Sequence, residues 1–353
     1  MPHRQATHQV RTLVTLVALV AAMGTLWDAP TLAAGQPPQA STGLRLLLIG
    51  IDGADWQIAD PLIQQGRLPN LAQLKKTGAW ASLRSTTPML SPLLWNSMAT
   101  GRTPIEHGII DFLVKDPQTG RRVPISSAHR KTKALWNIYS EAGLTSDFIA
   151  WWATWPAESI HGHMISDRLD YSLFGFRSTQ QDLPGLVSPP EYLATTRSLR
   201  VTQDAITLLD LQRFAPFTAS DMAAARARIT EDPAQAFADP LNHLVRVLAS
   251  TRTYHAIALD LLARKEQDVL SIYYQGIDEI CHRYAHFITP RLDWVDLEDF
   301  EKFHDVVARY YEYQDALIGE LLKASGKDMT VMVVSDHGFL NGSDRPEYSP
   351  NLT

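Results

Sequence analysis

Apolar runs with few polar interruptions recur along this chain and predict buried strands. Leu46–Ile51 is uniformly apolar rather than alternating, which is typical of a strand covered on both faces in a parallel sheet. Further strands are predicted at Asp147–Trp152, Val269–Tyr274 and Met329–Val334. The alternating segment Trp80–Ser85 predicts one more.

Stretches with helical spacing separate the predicted strands. The predicted helices are Ala59–Gly78 (interrupted near Gly66–Pro69), Pro92–Ala99, Lys133–Gly143, His243–Arg264 and Glu298–Lys323. Alternation of strands and helices predicts an α/β fold in which a mostly parallel central sheet has helices on both faces. From about 171 to 240, prolines interrupt short helical runs, and we interpret this region as a helical cap inserted over the site.

The N-terminus differs in kind from the rest of the chain. A basic start, an apolar stretch over 12–27 and small residues up to Ala34 predict a secretory signal peptide over residues 1–34. The alternative is an uncleaved membrane anchor. Residues 35–43 are then a flexible leader and 44–353 the catalytic domain, so the mature protein is expected to be exported, either periplasmic or secreted.

The amino-acid composition and net charge indicate which kinds of molecule the protein is expected to bind. The chain has 353 residues, 45% hydrophobic and 20% charged, as in an ordinary globular protein, and its formal net charge is -6. This balance does not indicate a basic surface for nucleic acid. Cys281 is the only cysteine, which excludes an internal disulfide, and it is more typical of a small buried residue than of a metal ligand.

Carboxylate and imidazole side chains follow three of the predicted strands. Asp52 comes directly after the first strand, and Asp278 follows a later one with His282 four residues further on. Asp336 and His337 come directly after the last strand. Such side chains are ligands that suit Zn²⁺ or Mn²⁺. Three strand ends with these ligands predict a two-metal catalytic centre.

Ser91 is the candidate nucleophile of this centre. It stands at the start of a predicted helix, where backbone N–H groups and the helix dipole favour an anion. One cation would be held by Asp52, Ser91, Asp336 and His337, and the second by Asp278 and His282. Two cations can clamp the attacking and leaving oxygens of a displacement at phosphorus, and metal coordination activates a hydroxyl without a histidine base.

The same residues lie in segments that resemble the alkaline phosphatase superfamily, nearest to its type I phosphodiesterase and nucleotide pyrophosphatase branch. The matching segments are Leu48–Gly53, Ser91, Thr100–Ile109, Asp278 with His282, and Asp336–Gly338. The stretch Trp152–Ala157, followed by Ser166 and Asp167, is similar to a subgroup of uncharacterised phosphohydrolases. The resemblance implies an alkaline phosphatase-like three-layer sandwich with two divalent metals, zinc or alternatively manganese. It also implies hydrolysis of small phosphate esters through a phosphoryl intermediate on Ser91.

Three departures from the family's pattern accompany this resemblance. Ser91 stands where related enzymes keep threonine, and Phe112 stands where they place a phosphate-binding asparagine. The second metal in the family also gains a histidine well downstream of the Asp-His pair, and no histidine follows His337. We interpret this last departure as a truncated chain. The alternative is a non-catalytic relative that kept the fold and lost the second metal.

Several other residues have ordinary structural interpretations. His107 belongs to a matching segment but is expected to orient a loop rather than to bind metal. Trp151, Trp152 and Trp155 are expected to fill the core beneath the site rather than to stack on a nucleobase. For Asp167, support of the site and a purely structural role remain equally open.

Overall fold

A six-stranded sheet forms the centre of the molecule in the computed structural model, which describes residues 45–170, 183–228 and 237–340. The strands are β1 (Leu46–Ile51), β2 (Leu113–Lys115), β3 (Arg122–Pro124), β4 (Ser146–Ile149), β5 (Gly162–Ile165), β6 (Val187–Ser188), β7 (Val269–Tyr274) and β8 (Thr330–Val334). The order in the central sheet is β6-β5-β4-β7-β1-β8, while β2 and β3 form a separate antiparallel ribbon. All neighbours in the central sheet are parallel except β5 and β6.

Helices supply the connections between the parallel strands. The α-helices are α1 (Trp56–Gln64), α2 (Pro69–Thr77), α3 (Ser91–Thr100), α4 (Pro104–His107), α5 (Leu135–Glu141), α6 (Leu193–Leu199), α7 (Leu208–Gln212), α8 (Ala219–Ala227), α9 (Pro240–Arg264), α10 (Gly276–Tyr284), α11 (Leu297–Phe303) and α12 (Val306–Ser325). Short 3₁₀ turns cover Ser127–His129, Pro190–Tyr192, Gln203–Ala205 and Ala285–Phe287. None of the helices in these described ranges is both long and apolar enough to cross a lipid bilayer.

Neighbouring side chains on β7 show that helices cover both faces of the sheet. The rings of Tyr273 and Trp95 of α3 have their centroids 5.0 Å apart, and the Tyr274 hydroxyl lies 2.7 Å from Nδ1 of His255 in α9. Because successive side chains of a strand point to opposite faces, α3 and α9 lie on opposite sides of the sheet. The predicted α/β sandwich with a mostly parallel central sheet is therefore confirmed.

Close packing of α3 against β1 depends on a glycine. A Cβ atom at Gly50 would lie 2.7 Å from the Trp95 ring, so only glycine admits the indole at this point of the strand. The Trp95 side chain is fully buried there. This contact sets the position of the first turn of α3 relative to the end of β1.

Several predicted boundaries differ from the structure. The prediction of a strand at Trp80–Ser85 is wrong, because this segment pairs with no described strand and its alternating apolar side chains are exposed. The strand predicted at Asp147–Trp152 ends at Ile149, because Ala150 adopts a positive φ of 63° that turns the chain. The predicted helix Glu298–Lys323 is two helices, which meet at His304 and Asp305.

The proposed domain limits are only partly covered by the described residues. The predicted signal peptide and leader lie outside them, as do 171–182 and 229–236 of the predicted cap and 341–353. The described part of the cap region consists of short helices and the two-residue strand β6, which adds an antiparallel edge to the central sheet. The domain assignment therefore stays a prediction.

Candidate metal centre

Three adjacent strands deliver acidic and imidazole groups to one edge of the sheet. Asp52 follows β1, Asp278 lies in the first turn of α10 just after β7, and Asp336 and His337 follow β8. Ligand atoms of Asp52, Asp278 and His337 all lie within 4.8 Å of one another. Because β7, β1 and β8 are parallel neighbours, their carboxyl ends meet at this edge.

His337 is the centre of this cluster. Its Nε2 atom lies 3.3 Å from Oδ1 of Asp52, 3.7 Å from Oδ1 of Asp278 and 3.6 Å from Oδ2 of Asp336. All four side chains are at least nine-tenths buried. One imidazole therefore faces three carboxylates in a region that water scarcely reaches.

The turn after β1 is shaped for this close approach. Gly53 has a φ of 69°, in the left-handed region, and a Cβ atom there would lie 3.0 Å from the Cα of Asp278. Its backbone N–H donates to Oδ1 of Asp336 at 3.3 Å. Gly53 thus lets the chain turn close to Asp278, while Asp52 supplies a carboxylate at the same edge of the sheet.

Ser91 lies at the same edge, as the first residue of α3. Its hydroxyl donates to Oδ1 of Asp52 at 3.3 Å, and the residue is 6% exposed. The N-terminus of α3 directs its partial positive charge at this position. The candidate nucleophile therefore lies in contact with a candidate metal ligand.

The other carboxylate oxygen of Asp52 is held by two residues that sequence analysis did not identify as site residues. Trp95 donates its indole N–H to Oδ2 at 3.0 Å, and the Tyr273 hydroxyl donates to the same oxygen. Trp152 in turn donates to the Tyr273 hydroxyl at 2.8 Å. The spacing of Trp95, one helical turn after Ser91, is the only sequence signal that indicates any of these contacts.

Burial and the charges of neighbouring groups shift the pKa values of the side chains in the cluster. Burial and the charge of Asp52 raise the pKa of Asp336 well above its ordinary value. Burial alone would also raise the pKa of Asp52, but contact with His337 lowers it. Burial would lower the pKa of His337, yet the surrounding carboxylates raise it to about 10. Without a metal, the three acidic side chains around His337 therefore favour the protonated form of its imidazole.

His282 is less firmly held than the other predicted ligands. Its side chain is 57% exposed, and Nε2 lies 3.4 Å from Oδ1 of Asp278. Partial burial acts to lower the pKa of His282, but Asp278 outweighs it and raises the value to about 9. His282 thus lies beside the cluster, in contact with Asp278.

The surroundings of two carboxylate oxygens show whether the residues of the cluster fit a cation. Oδ1 of Asp278 and Oδ2 of Asp336 are buried and accept no hydrogen bond. A buried carboxylate oxygen without a protein donor is free to bind a cation or an ordered water. The donor set of carboxylates, imidazole and hydroxyl also suits Zn²⁺ or Mn²⁺. The residues present therefore fit a divalent metal.

The remaining residues singled out in the sequence lie around this centre. His107 accepts the Ile109 N–H at 3.1 Å and lies 3.0 Å from the Ser97 hydroxyl, contacts that order its own loop. Phe112 packs edge-on against the Trp152 ring at 5.4 Å. Asp167 accepts the backbone N–H of Ala153 at 2.9 Å.

Of the three tryptophans and the cysteine given structural interpretations, Trp151, Trp152 and Cys281 are buried. Trp151 donates to the Ser271 hydroxyl at 2.9 Å within the core, and Cys281 is likewise buried. Trp155 is half-buried and donates to the Pro184 carbonyl at 3.1 Å. None of these contacts involves a carboxylate of the metal centre.

A protein-family comparison identifies the class of protein. The family model for type I phosphodiesterase/nucleotide pyrophosphatase matches residues 46–351. The chain therefore belongs to the type I phosphodiesterase/nucleotide pyrophosphatase family, which confirms the resemblance recognised in the sequence. No curated protein matches the chain.

Two solved structures that are similar to this chain are those of a phosphonoacetate hydrolase and of an ectonucleotide pyrophosphatase/phosphodiesterase. Phosphonoacetate hydrolase from Sinorhizobium meliloti 1021, in complex with phosphonoformate, has 17% sequence identity and a TM-score of 0.43 over 84% of this chain and 56% of its own. Murine ectonucleotide pyrophosphatase/phosphodiesterase 5, in an inactive form with AMP, has 15% identity and a TM-score of 0.43, covering 84% and 57%. The chain thus spans little more than half the length of these proteins.

Proposed function

We propose that this protein is a metal-dependent phosphoric ester hydrolase that uses Ser91 as its nucleophile. The observation that carries the proposal is the contact of the Ser91 hydroxyl with Asp52, within a cluster in which Oδ1 of Asp278 and Oδ2 of Asp336 accept no hydrogen bond. Membership of the type I phosphodiesterase/nucleotide pyrophosphatase family supports the same reaction class. Small-molecule phosphate esters, with diesters preferred, are the proposed substrates.

The residues would divide between two divalent cations, zinc or alternatively manganese. Asp52, Ser91, Asp336 and His337 would hold one, and Asp278 and His282 the other. Such cations, when bound, neutralise the charge of the non-bridging phosphate oxygens. Asp52 accepts the Ser91 hydroxyl proton in a hydrogen bond and orients the oxygen. The N-terminus of α3 stabilises negative charge at that oxygen, which forms a bond to phosphorus as the bond from phosphorus to the leaving alcohol breaks. The proton that Ser91 loses leaves with the alcohol, and water then cleaves the phosphoryl group from Ser91 and restores its hydroxyl.

Ser91→Ala tests the proposal directly. We expect this variant to lose hydrolysis of bis(p-nitrophenyl) phosphate while it keeps its fold and binds zinc. Ser97→Ala is the matched control, because Ser97 lies in the same helix but donates to the Leu93 carbonyl. Turnover by Ser91→Ala at the wild-type rate would remove Ser91 as the nucleophile.

A non-catalytic binding protein is the second candidate. The exposed position of His282, and Phe112 in place of a phosphate-binding asparagine, favour it. Elemental analysis of protein purified without chelators separates the two functions. Two metal ions per chain favour the hydrolase, whereas one ion or none, with no turnover of any ester, favours the binding protein.

We also propose that the protein is exported after removal of residues 1–34. The basic start, apolar middle and small residues before Ala34 support this. N-terminal sequencing of the protein recovered from the periplasm or medium should then begin at Gly35. Recovery of the intact N-terminus in a membrane fraction would indicate an anchor instead.

A further inference from the structure

A chain of directed hydrogen bonds reaches Asp52 from the core side of the metal centre. An indole N–H can only donate, so Trp152 must donate to the Tyr273 hydroxyl at 2.8 Å. Because the hydroxyl has one proton, that proton is then available for Oδ2 of Asp52. Trp95 donates to the same oxygen at 3.0 Å. The donor and the acceptor of each of these three hydrogen bonds are thus fixed by the chemistry of the groups.

The two oxygens of Asp52 consequently have different surroundings. Oδ2 receives two neutral donors from the core, whereas Oδ1 faces the Ser91 hydroxyl and the His337 imidazole, each at 3.3 Å. Asp52 is fully buried and Tyr273 is 3% exposed. The carboxylate therefore has one orientation, with Oδ1 directed at the proposed cation.

We infer that Tyr273, supported by Trp152, is a positioning residue that orients the Asp52 carboxylate for metal binding. Groups that hydrogen-bond a metal-binding carboxylate fix its direction and raise the affinity of the site. This inference rests on the proposed function only in that it needs a metal at Asp52. It does not depend on any substrate or on turnover.

β7 itself offers a matched control. Tyr273 and the next residue, Tyr274, are both buried and both hydrogen-bonded, but the Tyr274 hydroxyl lies 2.7 Å from Nδ1 of His255 on the opposite face of the sheet. Tyr→Phe at either position removes one buried hydroxyl from the same strand. Only the change at Tyr273 removes a donor from Asp52.

The experiment compares Zn²⁺ affinity of the full-length wild type, Tyr273→Phe and Tyr274→Phe by competition with a chromophoric chelator. We expect Tyr273→Phe to weaken zinc binding by about tenfold or more, and Tyr274→Phe to change it by less than about twofold. The visible spectrum of the Co²⁺-loaded protein should change in Tyr273→Phe alone. Equal zinc affinities for Tyr273→Phe and wild type would overturn the inference.

Circular dichroism of each chelator-treated variant checks that the fold is kept. If Tyr273→Phe does not fold, Trp152→Phe serves in its place, because it frees the Tyr273 hydroxyl to turn away from Asp52. Zinc affinity unchanged in Trp152→Phe would then overturn the inference. A wild-type protein that binds neither zinc nor manganese overturns both this inference and the metal dependence. A wild type that binds zinc but hydrolyses no ester overturns the proposed function alone.

Discussion

The two sides of the candidate metal centre differ in how firmly the fold holds their carboxylates. On the α3 side, Asp52 is fully buried and receives hydrogen bonds from Trp95, Tyr273 and Ser91. On the α10 side, Oδ1 of Asp278 accepts no hydrogen bond, and its neighbour His282 is 57% exposed. The first side is organised before any ligand binds, whereas the second depends on what binds there.

This difference follows from where the groups lie in the sheet. Asp52 ends a strand that is paired on both sides, by β7 and β8, so its backbone is fixed and α3 packs directly over it. His282 lies a full turn into α10, and its side chain extends from the helix toward solvent. We therefore expect substitutions on the α3 side to have larger effects than substitutions on the α10 side.

The largest effect is expected for Asp52→Asn. An amide keeps one oxygen for Trp95 and Tyr273 but presents a neutral N–H₂ group where Oδ1 faces Ser91 and the cation. Zinc affinity should fall by more than the roughly 10–100-fold typical of an outer-shell change, and phosphodiester hydrolysis should be lost with it. Chelator competition and the initial hydrolysis rate measure the two losses. Full activity in this variant would show that the fixed side of the centre is not the catalytic one.

Asp336→Asn should have opposite effects on the metal-free and the metal-loaded protein. Burial and the Asp52 charge disfavour the Asp336 carboxylate, so its neutralisation should raise the free energy of unfolding in the presence of chelator by about 1 kcal/mol. With zinc at 100 times its dissociation constant, the wild type should gain about 2.7 kcal/mol and the variant much less.

Urea denaturation with and without zinc measures both changes. Asp305→Asn, at a surface position paired with Arg309, is the control. A variant that is destabilised in chelator would mean that the repulsion among these carboxylates is already relieved without metal.

A smaller effect is expected for His282→Ala. The side chain is largely exposed and contacts Asp278, so the fold should be unchanged. The zinc content should fall from two ions to one, and hydrolysis should drop by less than in Asp52→Asn. Elemental analysis of the purified variant measures the zinc content. An unchanged content of two ions would exclude His282 as a ligand.

The strands that are buried on both faces could be predicted from the sequence. Whether a segment with the pattern of a strand pairs with another strand could not. β1 and β7 were found because uninterrupted apolar runs are typical of the centre of a parallel sheet. Trp80–Ser85 has the alternation of a strand, but alternation does not reveal whether a partner strand exists, and here none of the described strands pairs with it.

The candidate ligands were found because they directly follow predicted strands, whereas the groups that hold Asp52 were not. Tyr273 lies 221 positions from Asp52 in sequence, and its contact depends on the register that sets Gly50 opposite Tyr273 and Ile51 opposite Tyr274. A shift of one residue would place Tyr274 on the Asp52 face instead. Register is a property of the folded sheet, so no local pattern could have separated the two tyrosines.

The smallest effect on the metal centre is expected for a change at Asp167, which lies away from the cluster. Burial raises the pKa of Asp167 to about 6, against the opposing influence of Arg168 and of the N–H groups of Ala153 and Trp155. The folded protein therefore holds a proton here that the unfolded chain releases near its ordinary value of 3.8, so the free energy of unfolding should fall as the pH rises from about 4 to about 6.

The size of this change is at most about 3 kcal/mol, since each unit of pKa corresponds to about 1.4 kcal/mol. Asp167→Asn cannot release the proton, so the difference in unfolding free energy between variant and wild type should shift in favour of the variant over this pH window. Urea denaturation at pH 4, 5, 6 and 7 measures the difference, with the exposed Asp204→Asn as the control. A difference that stays constant from pH 4 to 7 would show that Asp167 is ionised in the folded protein throughout, held by its hydrogen bonds with Ala153 and Thr154. In that case hydrogen bonds would fully offset the effect of burial on the pKa of Asp167, just as the contacts of Asp52 offset the effect of burial on its pKa within the metal centre.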